Sequence, residues 1–329
     1  MRSGLHDYFA ALQDATSWLG LSEFCSAHRH VVPHERTVRR WHRRLGSSLV
    51  VSPRFAIDAL GLSHIHAFLT QPEPGWECLP YIIEYAWVTM DCTNRILYLH
   101  CVVPCQHEGF LLRRLRDFAR AVDAFPCCTG WERMVSHVSD VMPLLTLRAP
   151  VDSALLGDLP VVVPAIFESW DRTLGLDETW RRIKDRLGNG VRSYLPGQRY
   201  YPTNGKLHVK EAFDRLSQEG LFVQHAVRYT PTPQESINAI IVVDRVAASR
   251  FVESVRRECS SIAAHPGPDG CLLRLSGGVG LFDAILGAGR HPVYWIDRVG
   301  TASCPARVRF AYDQLFHPGL GEWVMPEVR

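Results

Sequence analysis

Five arginines, Arg36, Arg39, Arg40, Arg43 and Arg44, crowd into one short stretch whose only acid is Glu35. A guanidinium carries five donors in a planar fork, stays charged near neutral pH, and matches both phosphate oxygens and the O6/N7 edge of guanine. The chemistry such a stripe offers is recognition of a polyanion. Thr37 and His34 stand at its start, within reach of a phosphate or a base edge, and Arg54 follows on an extended segment. An acidic protein or membrane surface, or a merely solvated helix face, are the alternative uses. Solvated faces normally mix charge signs, and here only Glu35 opposes five arginines.

A second set of reactive side chains lies further on. The run His100-Cys101-Val102-Val103-Pro104-Cys105-Gln106-His107 holds imidazoles and thiols, the ligands of zinc and copper sites, and Cys127-Cys128 could add to it. On a strand, however, His100 and Cys101 point to opposite faces, so half-buried strand and cap residues are the expected reading, with no metal bound. His64 and His66 share one strand face and could meet a ligand or metal, although core histidines are commoner. Gly277-Gly278-Val279-Gly280 reads as a turn, not a phosphate loop. No serine, cysteine or carboxylate constellation marks a nucleophile or acid–base pair. The expectation is a protein without catalytic residues, resident cofactor or metal.

The elements that must position the arginines are helical. From Glu35 to Leu45, at about 100° per residue, Val38, Trp41, His42 and Leu45 fall on one face and the arginines on the other. A helix over Leu21–His28 and a turn at Pro33 precede it, the layout of a helix-turn-helix whose second helix reads DNA. The strand Val50–Phe55, bearing Arg54, would form a wing.

This unit recurs. The stretch from Thr37 to Leu45, then Leu49-Val50-Val51, then Ile65 to Leu69, has a counterpart at His208 to Leu216, Leu221-Phe222-Val223 and Ile237 to Ile241. The offset is 171 residues at Thr37/His208 and 172 at Ile65/Ile237. The second helix keeps an apolar face at Val209, Ala212, Phe213 and Leu216. Its exposed face, His208, Lys210, Glu211, Asp214 and Arg215, is nearly balanced in charge and would not attract DNA.

After each helical unit the pattern predicts βαββαβ, the ferredoxin-like order. In the first copy this runs strand His64–Thr70, helix Trp76–Tyr85, strands Ala86–Cys92 and Ile96–Val103, helix Gln106–Asp123, strand Trp131–Val141. In the second it runs Ile237–Val243, helix Ala247–Cys259, a hairpin across Pro266-Gly267-Pro268-Asp269-Gly270, Cys271–Leu275, helix Leu281–Leu286, Val293–Arg309. Pro143 to Pro164 reads as linker. The predicted class is α+β, with a winged helix-turn-helix over 1–60, a ferredoxin-like domain over 61–146, and a linker over 147–175. A degenerate winged helix-turn-helix follows over 176–232 and a second ferredoxin-like domain over 233–329.

Glu35-Arg36-Thr37-Val38-Arg39-Arg40 through Leu45, Ala59-Leu60-Gly61-Leu62, and the paired strands Trp87-Val88-Thr89 and Ile96-Leu97-Tyr98-Leu99 resemble the Lrp/AsnC family of feast/famine regulators. The resemblance implies a winged helix-turn-helix joined to a sensing domain, with double-stranded DNA as partner and an amino acid or similar small molecule as effector. It also implies pairing through the sensing domains, here as an internal pseudo-dimer or a homo-oligomer. DNA contacts fall to Arg36, Thr37, Arg39, Arg40, Arg43, Arg44 and Arg54. An alternative function is a metal-responsive regulator using the His/Cys run. Another is a tetrapyrrole enzyme, since siroheme decarboxylases resemble the same architecture while holding an anionic macrocycle with histidine and arginine. Arg95, His100 and His137 are the residues available for that role.

Composition bounds these readings. The 329 residues are 47% apolar and 21% charged, with a net charge of only +2, so the local clustering of arginines matters more than the total. No apolar run is long enough to span a bilayer, and the N-terminal residues do not read as a signal peptide. Ten cysteines in a chain of this length suggest reduced thiols in a cytoplasm, not a disulfide scaffold.

Overall fold

The computed structural model describes residues 2–15, 21–45, 49–90, 94–128, 130–134, 218, 220–229, 237–297, 306–307, 315–317 and 322–325. In chain order the elements are α1 (Arg2–Asp14), α2 (Leu21–Ala27), α3 (Glu35–Leu45), β1 (Leu49–Phe55), β2 (Leu62–Pro72), β3 (Ile82–Thr89) and β4 (Arg95–Pro104). Then come α4 (Glu108–Asp117), β5 (Ala119–Cys127), β6 (Trp131–Met134), β7 (Phe222–Tyr229), β8 (Ile237–Val243) and α5 (Arg245–Val255). The series continues with β9 (Cys259–Pro266), β10 (Cys271–Gly277), α6 (Gly280–Gly287), β11 (Val293–Ile296) and β12 (Ala306–Arg307). The class is α+β with an antiparallel sheet. No described helix is long and apolar enough to cross a membrane.

The chain divides into two units. The first comprises Met1–Ala56, Val151–Pro231 and Tyr312–Val324; the second comprises Ile57–Pro150, Thr232–Ala311 and Met325–Arg329.

In the first unit, α1 buries Tyr8, Phe9 and Leu12, with the Tyr8 ring 6.1 Å from that of Phe24 on α2 and 6.3 Å from that of Trp41 on α3. His42, the buried polar residue of α3, meets the Tyr8 hydroxyl at 3.1 Å. The carbonyl of Leu12 accepts a hydrogen bond from Nδ1 of buried His225 on β7 at 3.1 Å. β1 does not fold back as a wing. It pairs antiparallel with β7, from Leu49↔Tyr229 to Phe55↔Phe222. Pairing lets β1 and β7 satisfy one another's backbone groups, which a lone strand would leave unpaired.

The second unit holds one sheet in the order β5-β2-β4-β3-β11-β8-β10-β9-β6. Within each half the first and third strands are central and the second and fourth flank them, and the halves join where β11 pairs with β3. β6, just past β5, pairs with β9 from the other half. The ends therefore meet. The Cys128 amide donates to the Pro266 carbonyl at 2.8 Å, and a Cβ on Gly130 would stand 2.4 Å from the Ala264 carbonyl. A Cβ on Gly267 would likewise meet the Pro126 carbonyl at 2.6 Å, so only glycine permits both crossings. One face of β8, β9 and β10 packs with α5 and α6 around Ile241, Phe251, Val252, Leu273 and Ile285. The other face joins residues of both halves, Phe68, Val88, Tyr98, Ile240, Leu272 and Tyr294, in a second core. There the rings of Phe68 and Tyr294 stack with centroids 3.9 Å apart.

Two predicted helices are corrected. Over Trp76–Tyr85 the chain makes only a 3-10 turn at Trp76–Cys78. Pro80 forces Leu79 into extended backbone, and from Ile82 exposure alternates residue by residue as a strand. The helix predicted to Asp123 stops at Asp117, and Ala119–Cys127 becomes β5 because pairing with β2 satisfies its backbone. The strand predicted over Trp131–Val141 is seen over Trp131–Met134. The linker, the second copy's helices and His137 lie outside the described residues.

Candidate functional site

The two chemical sets of the sequence take different places. On α3, Arg36, Arg39, Arg40, Arg43 and Arg44 are all exposed while Val38 and His42 are buried, as a 3.6-residue period requires. Arg39 Nε donates to Glu35 at 2.6 Å, and that hydrogen bond is the main reason the Glu35 carboxyl lies below its ordinary value. Thr37 is half-buried, its amide donating to the His34 carbonyl at 2.8 Å. Arg54, on β1, is half-buried opposite Gln224.

The histidines gather inside the second unit. Alternation along β2 puts His64, His66 and Phe68 on one face. Register then sets His66 directly across from His100 on β4, and His100 across from Glu84 on β3. Because the sheet closes on itself, His265 of β9 arrives against the same layer, its ring centroid 4.5 Å from that of His66. All four imidazoles and Glu84 are at most 6% exposed.

Arg274 Nη1 donates to Glu84 Oε2 at 2.6 Å. His100 Nδ1 lies 3.5 Å from the same oxygen. On its other side, His100 Nε2 shares a 2.8 Å hydrogen bond with His64 Nδ1, one ring donating and the other accepting. Carboxylate, imidazole and imidazole thus form a line along which a proton can pass. Beside it, His66 stacks on His100 at 4.2 Å between ring centroids and shares a 2.8 Å hydrogen bond with the Tyr98 hydroxyl through Nδ1. His66 Nε2 is buried and has no hydrogen-bond partner among the described residues.

Burial, aided by the neighbouring His100, His265 and His64 and by Arg274, holds His66 well below its ordinary value of 6.5. Burial also pushes Tyr98 up, so both are neutral groups. Below about pH 6.5 the unfolded chain binds a proton at His66 that the folded chain refuses. The stability is complete above that pH and is lost as pH falls toward the depressed folded value, by about 1.4 kcal/mol per pH unit per proton. Urea midpoints compared between about pH 7.5 and pH 5.5 are expected to fall less in His66→Phe than in wild type. Equal falls would refute the assignment.

The structure sorts the sequence candidates. It joins His64, His66 and His100, and adds Glu84, Tyr98, His265 and Arg274, which sequence reading missed. Glu84 alone left a trace, as a single acid in a strand of apolar and aromatic residues. Arg95 stands apart: it is paired with Asp297 at 3.1 Å and its guanidinium lies 4.6 Å from the Trp87 ring centroid. The run from His100 to His107 does not converge. Cys101 is buried on the opposite face from His100, its thiol pushed up to about 12. Among the described residues no three His, Cys, Asp or Glu side chains are arranged to hold a metal ion. The 2.8 Å between His64 and His100 is a hydrogen bond, shorter than the about 3.3 Å separating two nitrogens on one zinc.

No family model and no curated protein sequence matches the chain. Two solved structures are similar to it: the siroheme decarboxylase NirDL, at 11% identity with a TM-score of 0.48, and NirDL in co-complex with an iron-uroporphyrin III analogue, at 11% and 0.47. Each likeness covers 90% of this chain and 91% of the other. The expectation of a protein without catalysis is corrected here, since the solved structures it resembles are those of an enzyme.

Proposed function

We propose that this chain is an acid–base enzyme of the tetrapyrrole-decarboxylase type, working on a carboxylate-bearing macrocycle such as siroheme at the histidine layer of its second unit. The observation that carries this reading is the buried line Arg274–Glu84–His100–His64 with His66 and Tyr98 beside it. Decarboxylation asks for two things of a protein. The carboxylate must leave water, because desolvation weakens its hold on charge, and the carbon that releases carbon dioxide must receive a proton. The bonding pair of the broken C–C bond takes that proton, and no electron is gained or lost. The aromatic layer of Phe68, Tyr98 and Tyr294 supplies the dry surroundings, and the imidazole line supplies the proton.

Anaerobic incubation of the protein with siroheme, followed by mass spectrometry of the macrocycle, tests this. Loss of carboxyl groups is expected, and His100→Ala should slow it by about 10²–10⁴-fold, the usual contribution of a positioned acid–base group. A macrocycle that keeps every carboxylate in the wild-type reaction would sink the proposal.

A second reading is favoured by one separate observation, the exposed arginine face of α3. We propose that Arg36, Thr37, Arg39, Arg40, Arg43, Arg44 and Arg54 contact duplex DNA, within an Lrp/AsnC-like plan of tandem helix-turn-helix and ferredoxin-like units, the place of the wing being taken by the β1–β7 pair. The two readings occupy different units and are compatible in one chain. Pairing of such chains, and an amino-acid effector, belong to this same reading.

A further inference from the structure

A pocket of about 310 Å³ opens at the outer edge of β5, lined by Leu112 and Arg116 of α4 and by Val122, Asp123, Ala124 and Phe125 of β5. That volume is at the lower end of small-molecule sites. Its wall residue Phe125 is paired in register with His66, so the two side chains stand next to each other on the same face of the sheet. Phe125 is half-buried and meets Phe68 edge to face at 5.9 Å; Phe68 in turn lies 5.4 Å from Tyr98, the partner of His66. Phe125, a wall residue of the pocket, is thus the cross-strand neighbour of an imidazole whose Nε2 is buried without a hydrogen-bond partner among the described residues.

We propose that this pocket is the entrance to the histidine layer, that the Phe125 ring is its door, and that its ligand is a flat aromatic molecule carrying a carboxylate. Rotation of Phe125 exposes His66 and leaves the faces of Phe125 and Phe68 for an aromatic ligand to stack on. Arg116 is the only cation in the lining, is exposed, and has no ion pair among the described residues, so it is available to a carboxylate. Asp123, also in the lining, repels a second one and so sets the orientation of entry. The ligand class rests on the decarboxylase reading; the door does not.

Diethyl pyrocarbonate acylates an unprotonated imidazole nitrogen, and peptide mass spectrometry reads each histidine of the full chain separately. Phe125→Ala is expected to speed acylation of His66 by about tenfold or more while buried His225 of the first unit keeps its rate. Phe125→Trp is expected to slow it. Equal His66 rates in all three proteins overturn the door. If Phe125→Ala speeds His66 and His225 alike, adding Leu112→Trp, which refills the pocket from α4, decides the matter: renewed protection of His66 alone upholds the door, and no protection overturns it. Pyrene-1-carboxylate is expected to shield His66 in Phe125→Ala and to fail once Arg116 is alanine. Absence of shielding overturns the ligand class. Neither readout involves siroheme turnover, so failure of the decarboxylase reading and failure of the door are separate results.

Discussion

Glu84→Leu is expected to lower folding stability by about 3–5 kcal/mol, the range for breaking a buried ion pair by removing one partner. Glu84 is 8% exposed at its side chain and Arg274 16%, and their contact is 2.6 Å. Leucine removes the anion and leaves the guanidinium, which cannot discard its proton, in a place with little water. It also takes away the acceptor that His100 Nδ1 faces. Replacing both charges, in Glu84→Leu with Arg274→Met, is expected to recover much of the loss, because the guanidinium is then removed together with its carboxylate. Urea denaturation followed by circular dichroism measures all three proteins. A single substitution costing less than about 1 kcal/mol, as at an exposed pair, would show that water reaches this layer freely.

Changing Arg39, Arg40 and Arg43 together to alanine is expected to abolish measurable duplex DNA binding. Each arginine on a phosphate releases counterions, so the log–log salt dependence of affinity should flatten by about one per residue removed, about three in all. Arg39 spends part of its time on Glu35, so Arg40 and Arg43 are expected to weigh more singly. Stability should scarcely change, because the core of this helix is Val38 and His42 on the other face. Filter binding or fluorescence anisotropy across a salt series gives the answer, and undiminished affinity in the triple variant would remove the DNA reading. Lys210→Ala and Arg215→Ala serve as the comparison, with no loss expected.

The arginine face was legible because it depends on local geometry alone. Helical period puts residues three and four apart together, and no distant segment is needed to decide which side of α3 is wet. Strand alternation likewise placed His64 and His66 on one face. Local pattern misled where a single residue or a distant partner took control. Pro80 ended the helix begun at Trp76, and β2 claimed the residues after Asp117 that would otherwise extend α4. The same error hid Glu84, which a helix would have carried to another surface.

By itself the sequence determined the mixed α+β class, the alternation that faces His64 and His66 together, and the arginine-rich face of α3. Tertiary structure decided that these histidines form a site at all. His265 and Arg274 lie more than 160 residues from His100 in the chain and reach it only because the sheet joins at β3 and β11 and closes where β6 meets β9. A carboxylate, a guanidinium and four imidazoles in contact are a product of that closure, since strand register and sheet order are fixed by long-range hydrogen bonds that no local window of sequence contains.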